Sequence, residues 1–291
     1  MTVLLISFLL LLYTFQSLLC RKYSEHYPGA AAMSSPVFSM VSGLVVAVIT
    51  FAFSAFSFTP SPMTVLLGIC NAVALFLYNT FMILASKNGP YSVLMTFMLA
   101  GGILVPAAVN FFAFSVPLSL IQILAIVVIV LAIYIVSYKE GEGCGNLLFY
   151  IACFGLFFCN GIYCSLLNAQ QELAGEGERG EMIMITYFGT FALSAIVALA
   201  QNARGFVGAF RQTRRSLFYL LSCSVVVALA VNLVVDILTR INPTILFTID
   251  HAGVLLLSVL ISHFFLHEKL SRLNWVGCAL MCAALVCFSA F

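Results

Sequence analysis

The sequence predicts an all-α integral membrane protein: ten transmembrane helices arranged as a 5+5 inverted-topology repeat, with halves at residues 1–140 and 145–291. Three observations carry that expectation. The 291 residues are 63% hydrophobic and only 8% charged, with a mean hydropathy of +1.15, whereas a soluble domain carries roughly a quarter charged residues. A helix needs ~20 apolar residues to cross the ~30 Å hydrocarbon layer, and blocks of that length recur along nearly the whole chain. Finally, residues 77–90 (LYNTFMILASKNGP) superpose on 230–243 (AVNLVVDILTRINP), bringing Asn79 onto Asn232, Ser86 onto Thr239, Lys87 onto Arg240 and Pro90 onto Pro243. After a single-residue slip Pro117-Leu-Ser-Leu aligns with Lys269-Leu-Ser-Arg, and Ser17-Leu-Leu with Ser165-Leu-Leu. Collinear matches across both halves give two units of five helices, and an odd number turns the second unit upside down.

In chain order the expected spans are 2–20, 34–57, 63–85, 90–113, 117–138, 146–168, 182–202, 216–238, 243–265 and 273–290. They are helices, because a membrane barrel would show ~10-residue segments of alternating polarity. The first span is read as retained: Met1 to Phe15 has no basic leader, and Leu-Leu-Cys at 18–20 lacks the small residue that a lipoprotein cleavage site needs before Cys20. Ser86–Gly89 and Thr239–Asn242 are tight turns, and the longest connections, Gln171–Glu181 and Ala203–Arg215, are too short to fold alone. The ten cysteines are scattered singly, with no CxxC pair and no histidine at zinc-ligand spacing, so they read as small packing residues. No metal and no cofactor is expected.

The C-terminal run HFFLHEKLSRLNWVGCALMCAALVCFS, with Glu268, Leu270, Ser271 and Gly277, resembles the closing segment of an EamA repeat in the drug/metabolite transporter superfamily. The first half is similar but degenerate: its matching loop reads Ser115-Val-Pro-Leu-Ser, without the glutamate. CRKYSEHYP after the first helix also resembles the first loop of the small multidrug resistance proteins of that superfamily. The resemblance spans the full chain and reaches the superfamily, not a substrate. It implies a 5+5 inverted fold around a central cavity lined chiefly by helices 1, 3, 4, 6, 8 and 9. One residue departs from the pattern. The small multidrug members carry an essential glutamate midway along helix 1, where this chain offers Tyr13, Gln16 and Ser17. Cation/proton exchange through that carboxylate is excluded.

A charge at the bilayer centre costs ~2.5–3.5 kcal/mol, so a polar residue inside a span needs a reason. Asp250 and His251 are the deepest ionisable pair; seven residues beyond Pro243, Asp250 lies ~10 Å into helix 9 at ~1.5 Å per residue. Adjacent positions diverge by about 100° around a helix. His251 therefore joins a polar stripe with Thr244, Thr248, Ser258 and Ser262, and Asp250 turns toward Pro243, Phe247 and Val254. Either residue serves a transported proton, cation or substrate, or hydrogen-bonds a neighbouring helix and fixes packing. The same two readings apply to Asn160, which shares a helix 6 stripe with Cys153, Phe157, Cys164 and Asn168, and to Tyr163 beside it. They apply equally to Gln16 and to the repeat-equivalent Asn79 and Asn232. Asp236 is explained by Arg240 four residues on. Glu268 is expected to cap helix 10 or to pair with Lys269 or Arg272.

The repeat, the midplane Asp250 and His251, and the lack of a phosphate-binding Walker loop or a helical HExxH point to a secondary transporter, not an ATP-driven pump or an intramembrane enzyme. A non-transporting helper or receptor on the same fold is the alternative. The expected partners are the lipid bilayer, a small-molecule substrate and protons or a cation. No nucleic acid is expected, and the chain is read as a monomer or homodimer in the cell membrane. The 27 Phe and 11 Tyr suit aromatic cavity walls that accept amino acids or lipophilic cations. Of the 12 Lys and Arg, ten lie in connections after helices 1, 3, 5, 7 and 9, leaving Arg179 and Arg240 on the other side. By the positive-inside rule this puts the odd connections in the cytoplasm and both termini outside, whereas the resemblance implies termini inside. A C-terminal tag tested in intact cells decides between them. The charge count predicts that an impermeant reagent reaches the tag without permeabilisation, and protection of the tag would reverse the orientation.

Overall fold

A computed structural model describes residues 2–54, 58–113, 115, 117–137, 146–174, 176–202, 213–238, 240, 243–268 and 271–290. These residues form ten α-helices and one 3₁₀ turn, Glu176–Glu178, and contain no strand. The helices are α1 Thr2–His26, α2 Ala31–Phe53, α3 Pro62–Asn88, α4 Tyr91–Ala113, α5 Leu120–Ser137, α6 Leu147–Leu173, α7 Arg179–Asn202, α8 Arg214–Leu238, α9 Pro243–Phe264 and α10 Arg272–Ala290. Each coincides with an expected span. The largest discrepancy is at α1, which continues past residue 20 to His26. Its last turns are polar yet still helical, because Glu25 accepts from Arg21 at 3.1 Å and Lys22 at 2.9 Å, the i,i+4 and i,i+3 pairings a helix brings together.

Helices α1, α2, α3, α4, α6, α7 and α8 are long and apolar enough to cross a bilayer, and α5, α9 and α10 contribute shorter apolar stretches. This is the architecture of a multi-pass membrane protein. The surface agrees: large apolar side chains such as Phe112 (80% exposed) and Leu120 (73% exposed) point outward, which water would penalise and lipid does not.

Contacts between helix ends sort the connections onto two faces. Lys87 at the end of α3 reaches Ser34 near the start of α2 (3.2 Å), Asn146 before α6 reaches Asn88 (3.3 Å), and His26 of α1 packs on Tyr219 of α8. All belong to one face, here called the odd face because the connections after odd-numbered helices lie there. On the opposite, even face, Glu178 in the α6–α7 connection binds the start of α3, and Gln122 of α5 meets Phe288 of α10 (3.4 Å).

Lipid tails are as apolar as leucine, so no hydrophobic term pulls these helices together; close packing and interhelical hydrogen bonds do. A Cβ at Gly101 would fall 2.1 Å from the Phe157 carbonyl oxygen, and one at Gly161 2.3 Å from Val105, so α4 and α6 meet almost backbone to backbone. Thr190 of α7 donates to the Ala72 carbonyl of α3 at 3.2 Å. Buried hydroxyls elsewhere donate to carbonyls one turn back, as Thr14 does to Leu10 (2.6 Å) and Ser194 to Thr190 (2.6 Å), which satisfies them without water. The helix partners are α1 with α8 and α9, α3 with α6 and α7, α2 with α7 and α8, α4 with α6 and α9, and α5 with α10.

Two glutamates join elements at opposite faces. On the even face Glu178 accepts from the Ser61 amide (2.9 Å) and the Thr64 hydroxyl (2.5 Å), and these hydrogen bonds hold its carboxyl below the usual carboxylate range. On the odd face Glu268 takes a role different from the expected one. Ser271, not Glu268, caps α10 by accepting from the Asn274 amide at 3.2 Å; Lys269 lies outside the described residues. Glu268 instead accepts from Arg21 Nη1 at the end of α1 (2.7 Å) and from the Tyr91 and Ser92 amides that open α4 (2.7 and 3.4 Å), and it is bonded by Ser262 of α9. Helix α4 begins directly after Gly89-Pro90 and offers no capping side chain of its own, so its unpaired amides draw in a carboxylate from the other half of the chain. Both Glu268 and Arg21 side chains are about 85% buried, being 14% and 15% exposed. Glu268→Ala strands a guanidinium and two amides and is expected to lower unfolding stability by about 1–3 kcal/mol. Chemical denaturation in detergent measures this, and a loss no larger than that of Glu181→Ala, a half-buried glutamate in the first turn of α7, would contradict the assignment.

Candidate functional site

Where α1, α2, α3, α4, α6, α7, α8 and α9 converge they leave a cavity of about 170 Å³. One ordered water needs ~10–15 Å³ on this measure, so the space accepts an organic molecule. Helices 1, 3, 4, 6, 8 and 9 line it as the resemblance implies; α2 adds Phe38 and Ser42, and α7 adds Arg179, Ile183 and Tyr187.

Six of the seven residues singled out from the sequence meet on this wall: Gln16, Asn79, Asn160, Tyr163, Asp250 and His251. Asn232 is not among the lining residues; its amide donates to Thr50 Oγ1 at 2.9 Å and to the Ala228 carbonyl at 2.8 Å, tying α8 to α2. Asn160 does both jobs, lining the cavity while donating to the Met98 carbonyl of α4 at 2.7 Å.

Asp250 and His251 are both buried and less separate than their positions on the helix suggest. Asp250 Oδ2 lies 4.0 Å from His251 Nδ1, and Oδ1 has no hydrogen-bond partner. Gln16 Oε1 is likewise buried without a partner. The side chains of Thr244, Phe247 and Thr248, expected to share the two faces of this helix, lie outside the described residues. Gly102 of α4 makes room for the site. A Cβ there would stand 2.5 Å from His251 Nε2 and 2.8 Å from Asn160 Nδ2, so a larger residue at this position would push these side chains from where they meet α4. Asp236 is accounted for at the even face by Arg240, 2.9 Å away, where both side chains are exposed.

Sequence reasoning missed Tyr78, Tyr187 and Arg179. With Tyr13 and Tyr163, the first two place four phenols from four helices around the cavity. Tyr78 was one position from Asn79, a signal that could have found it. Arg179 was counted as a loop charge, but α7 begins at that residue and buries it against the cavity. An arginine on the face almost empty of cations was the available hint.

The cavity is not symmetric between the faces. Toward the even face its lining runs to Leu238, the last residue of α8, and Arg179, the first of α7. Toward the odd face it stops at Cys20, six residues before His26, and at Met82, six before Asn88. Beyond that limit the chain is solid: Tyr23 and Tyr91 are fully buried, Tyr23 donates to the Ser34 carbonyl (3.0 Å), and the Arg21 guanidinium sits 5.8 Å above the Tyr91 ring while bound to Glu268.

No protein-family model matches the chain, and no curated protein matches it. Among solved structures 27 chains match. One, described only as the crystal structure of a protein, aligns over 97% of this chain and 96% of its own with a TM-score of 0.62 at 15% identity. Likeness at that identity speaks to the fold alone, and it extends over nearly the entire length of both chains.

The asymmetric cavity sets a labelling pattern. In a cysteine-free background, Asn168→Cys on the cavity wall is expected to react with an impermeant thiol reagent supplied from the even face and to be protected from the odd face. Equal labelling from both faces, in vesicles of known orientation, would contradict this reading of the open end.

Proposed function

We propose that the protein is a secondary transporter of a small metabolite or drug-like organic molecule, of the drug/metabolite transporter type, working by alternating access in the cell membrane. The observation that carries the reading is Asp250, a carboxyl buried near midspan on a residue that lines the central cavity, with no hydrogen-bond partner at Oδ1. A buried ionisable group is among the costliest features a membrane protein keeps, and its usual return is a proton, ion or substrate that binds there.

The pattern of helix packing supports two inverted halves. Exchanging α1 with α6, α2 with α7, α3 with α8, α4 with α9 and α5 with α10 converts α3·α6 into α8·α1, α4·α6 into α9·α1 and α3·α7 into α8·α2. It returns α2·α7, α4·α9 and α5·α10 to themselves, and all nine of these contacts occur. A cavity at the boundary of two such halves is where rocking exposes one face and then the other. The seal also follows the repeat. Glu268 locks α1, α4 and α9 at the odd face, while the corresponding loop at the even face, Ser115-Val-Pro-Leu-Ser, has no acidic residue. The state described here is therefore the one open toward the even face.

Proteoliposome uptake tests the proposal across a panel of radiolabelled amines, amino acids and organic acids. Wild-type protein is expected to move at least one class with a pH-dependent rate. Asp250→Asn is expected to slow that flux by about tenfold or more, the loss of one charge-assisted contact, and to flatten its pH profile. Flux through Asp250→Asn at the wild-type rate with an unchanged pH profile would sink the role of this carboxyl. No flux of any compound would favour the helper or receptor reading.

A further inference from the structure

Two oxygens in the cavity lack partners, and both are hydrogen-bond acceptors. Asp250 Oδ1 on α9 and Gln16 Oε1 on α1 are buried with nothing donating to them, and Asp250 is 92% removed from the surface, being 8% exposed. The two helices pack against each other. Tyr13, one turn before Gln16 on the same face of α1, lies close enough to Asp250 for the two to interact electrostatically. An orphaned acceptor costs ~1–3 kcal/mol and a carboxylate more, so two on residues that line one cavity fit a ligand rich in donors. A bare proton would satisfy Asp250 but leave Gln16 and the cavity's 170 Å³ unfilled. An ammonium group answers both: it carries up to three N–H donors and a positive charge, and the phenol rings of Tyr13, Tyr78, Tyr163 and Tyr187 offer π faces and apolar walls to the rest of the molecule. Two side chains that can carry a positive charge share the space. His251 approaches Asp250 on the other carboxyl oxygen, and Arg179 lies at the even-face end, so Oδ1 is left to the ligand.

We propose that the cavity binds a small organic cation, a protonated amine with an apolar or aromatic body, whose ammonium group is held by Asp250 Oδ1 and Gln16 Oε1. This rests on the transport reading only in naming the bound amine as the cargo; the site itself is a matter of binding.

Three probes of nearly one shape separate charge from fit: 2-phenylethylamine, 2-phenylethanol and 3-phenylpropionate, each titrated calorimetrically into the full chain in detergent at neutral pH. The amine is expected to bind about tenfold to a hundredfold more tightly than the alcohol or the carboxylate, the ratio that one charge-assisted hydrogen-bonding site supplies. Asp250→Asn is expected to erase that preference, Asp250→Glu to keep it, and Gln16→Leu to weaken the amine several-fold while sparing the alcohol. Should Asp250→Asn fail to fold, the Asp250→Glu and Gln16→Leu pair carries the same test. Equal binding of the three probes, tighter binding of the carboxylate, or an amine preference that survives in folded Asp250→Asn overturns the proposal. An amine preference without uptake of labelled amine into proteoliposomes upholds the cation site and removes the transport reading. Uptake of the carboxylate or the alcohol with no amine preference does the reverse.

Discussion

Hydrocarbon supplies no hydrogen bonds, so every polar group in a membrane-embedded chain must be satisfied from within the protein. Most of this fold is an answer to that constraint. Threonine and serine hydroxyls bend back to carbonyls one turn earlier, and Asn160 and Asn232 reach backbone or hydroxyl groups of neighbouring helices. The open amides of α4 recruit Glu268 from the far half of the chain. Of the buried oxygens left without a partner, those of Asp250 and Gln16 belong to residues that line the same cavity. Their company of four tyrosines gives the cavity chemistry suited to an organic ligand.

In the proposed transporter the same constraint would link binding to access. Glu268 satisfies α4 and neutralises Arg21 in one arrangement, with Arg21 stacked over Tyr91. The odd face is thus sealed by groups that would each lose a partner if α1, α4 and α9 separated there. Breaking the seal needs compensation from elsewhere, and a ligand that changes the charge at Asp250 on α9 acts on a helix that belongs to the seal through Ser262. Asp250 at the cavity and Ser262 at the seal sit on one helix, the element through which the proposed mechanism would carry an event at midspan to a helix end.

Much of the fold was legible in the sequence because lipid imposes a length and a composition that few other environments do. Each helix fell on its expected span, and the errors were at ends such as Leu173 and His26, the latter closing polar turns that stay helical through local pairing that hydropathy does not register. The cavity was half legible. Asp250, His251, Asn160 and Gln16 stood out as polar residues in apolar surroundings, whereas Tyr78 and Tyr187 were hidden among many aromatics that face lipid or core. Arg179 was hidden by a boundary drawn three residues late. Partner choice was the least legible: adjacent charges suggested that Glu268 would bind Lys269 or Arg272, but besides Ser262 its partners Arg21, Tyr91 and Ser92 are 176 to 247 positions away in the chain. No local pattern encodes a contact between residues so far apart in the chain.

Distances across the cavity test the central claim, alternation between two sealed states, most directly. Spin labels at Asn88 and Phe218, on α3 and α8 at the odd face, and at Met63 and Asp236, on the same helices at the even face, would be measured by pulsed electron resonance with and without saturating 2-phenylethylamine. The account predicts two distance populations at each face that shift in opposite directions when the amine is added. A single population at both faces, unmoved by an amine shown to bind, would contradict it.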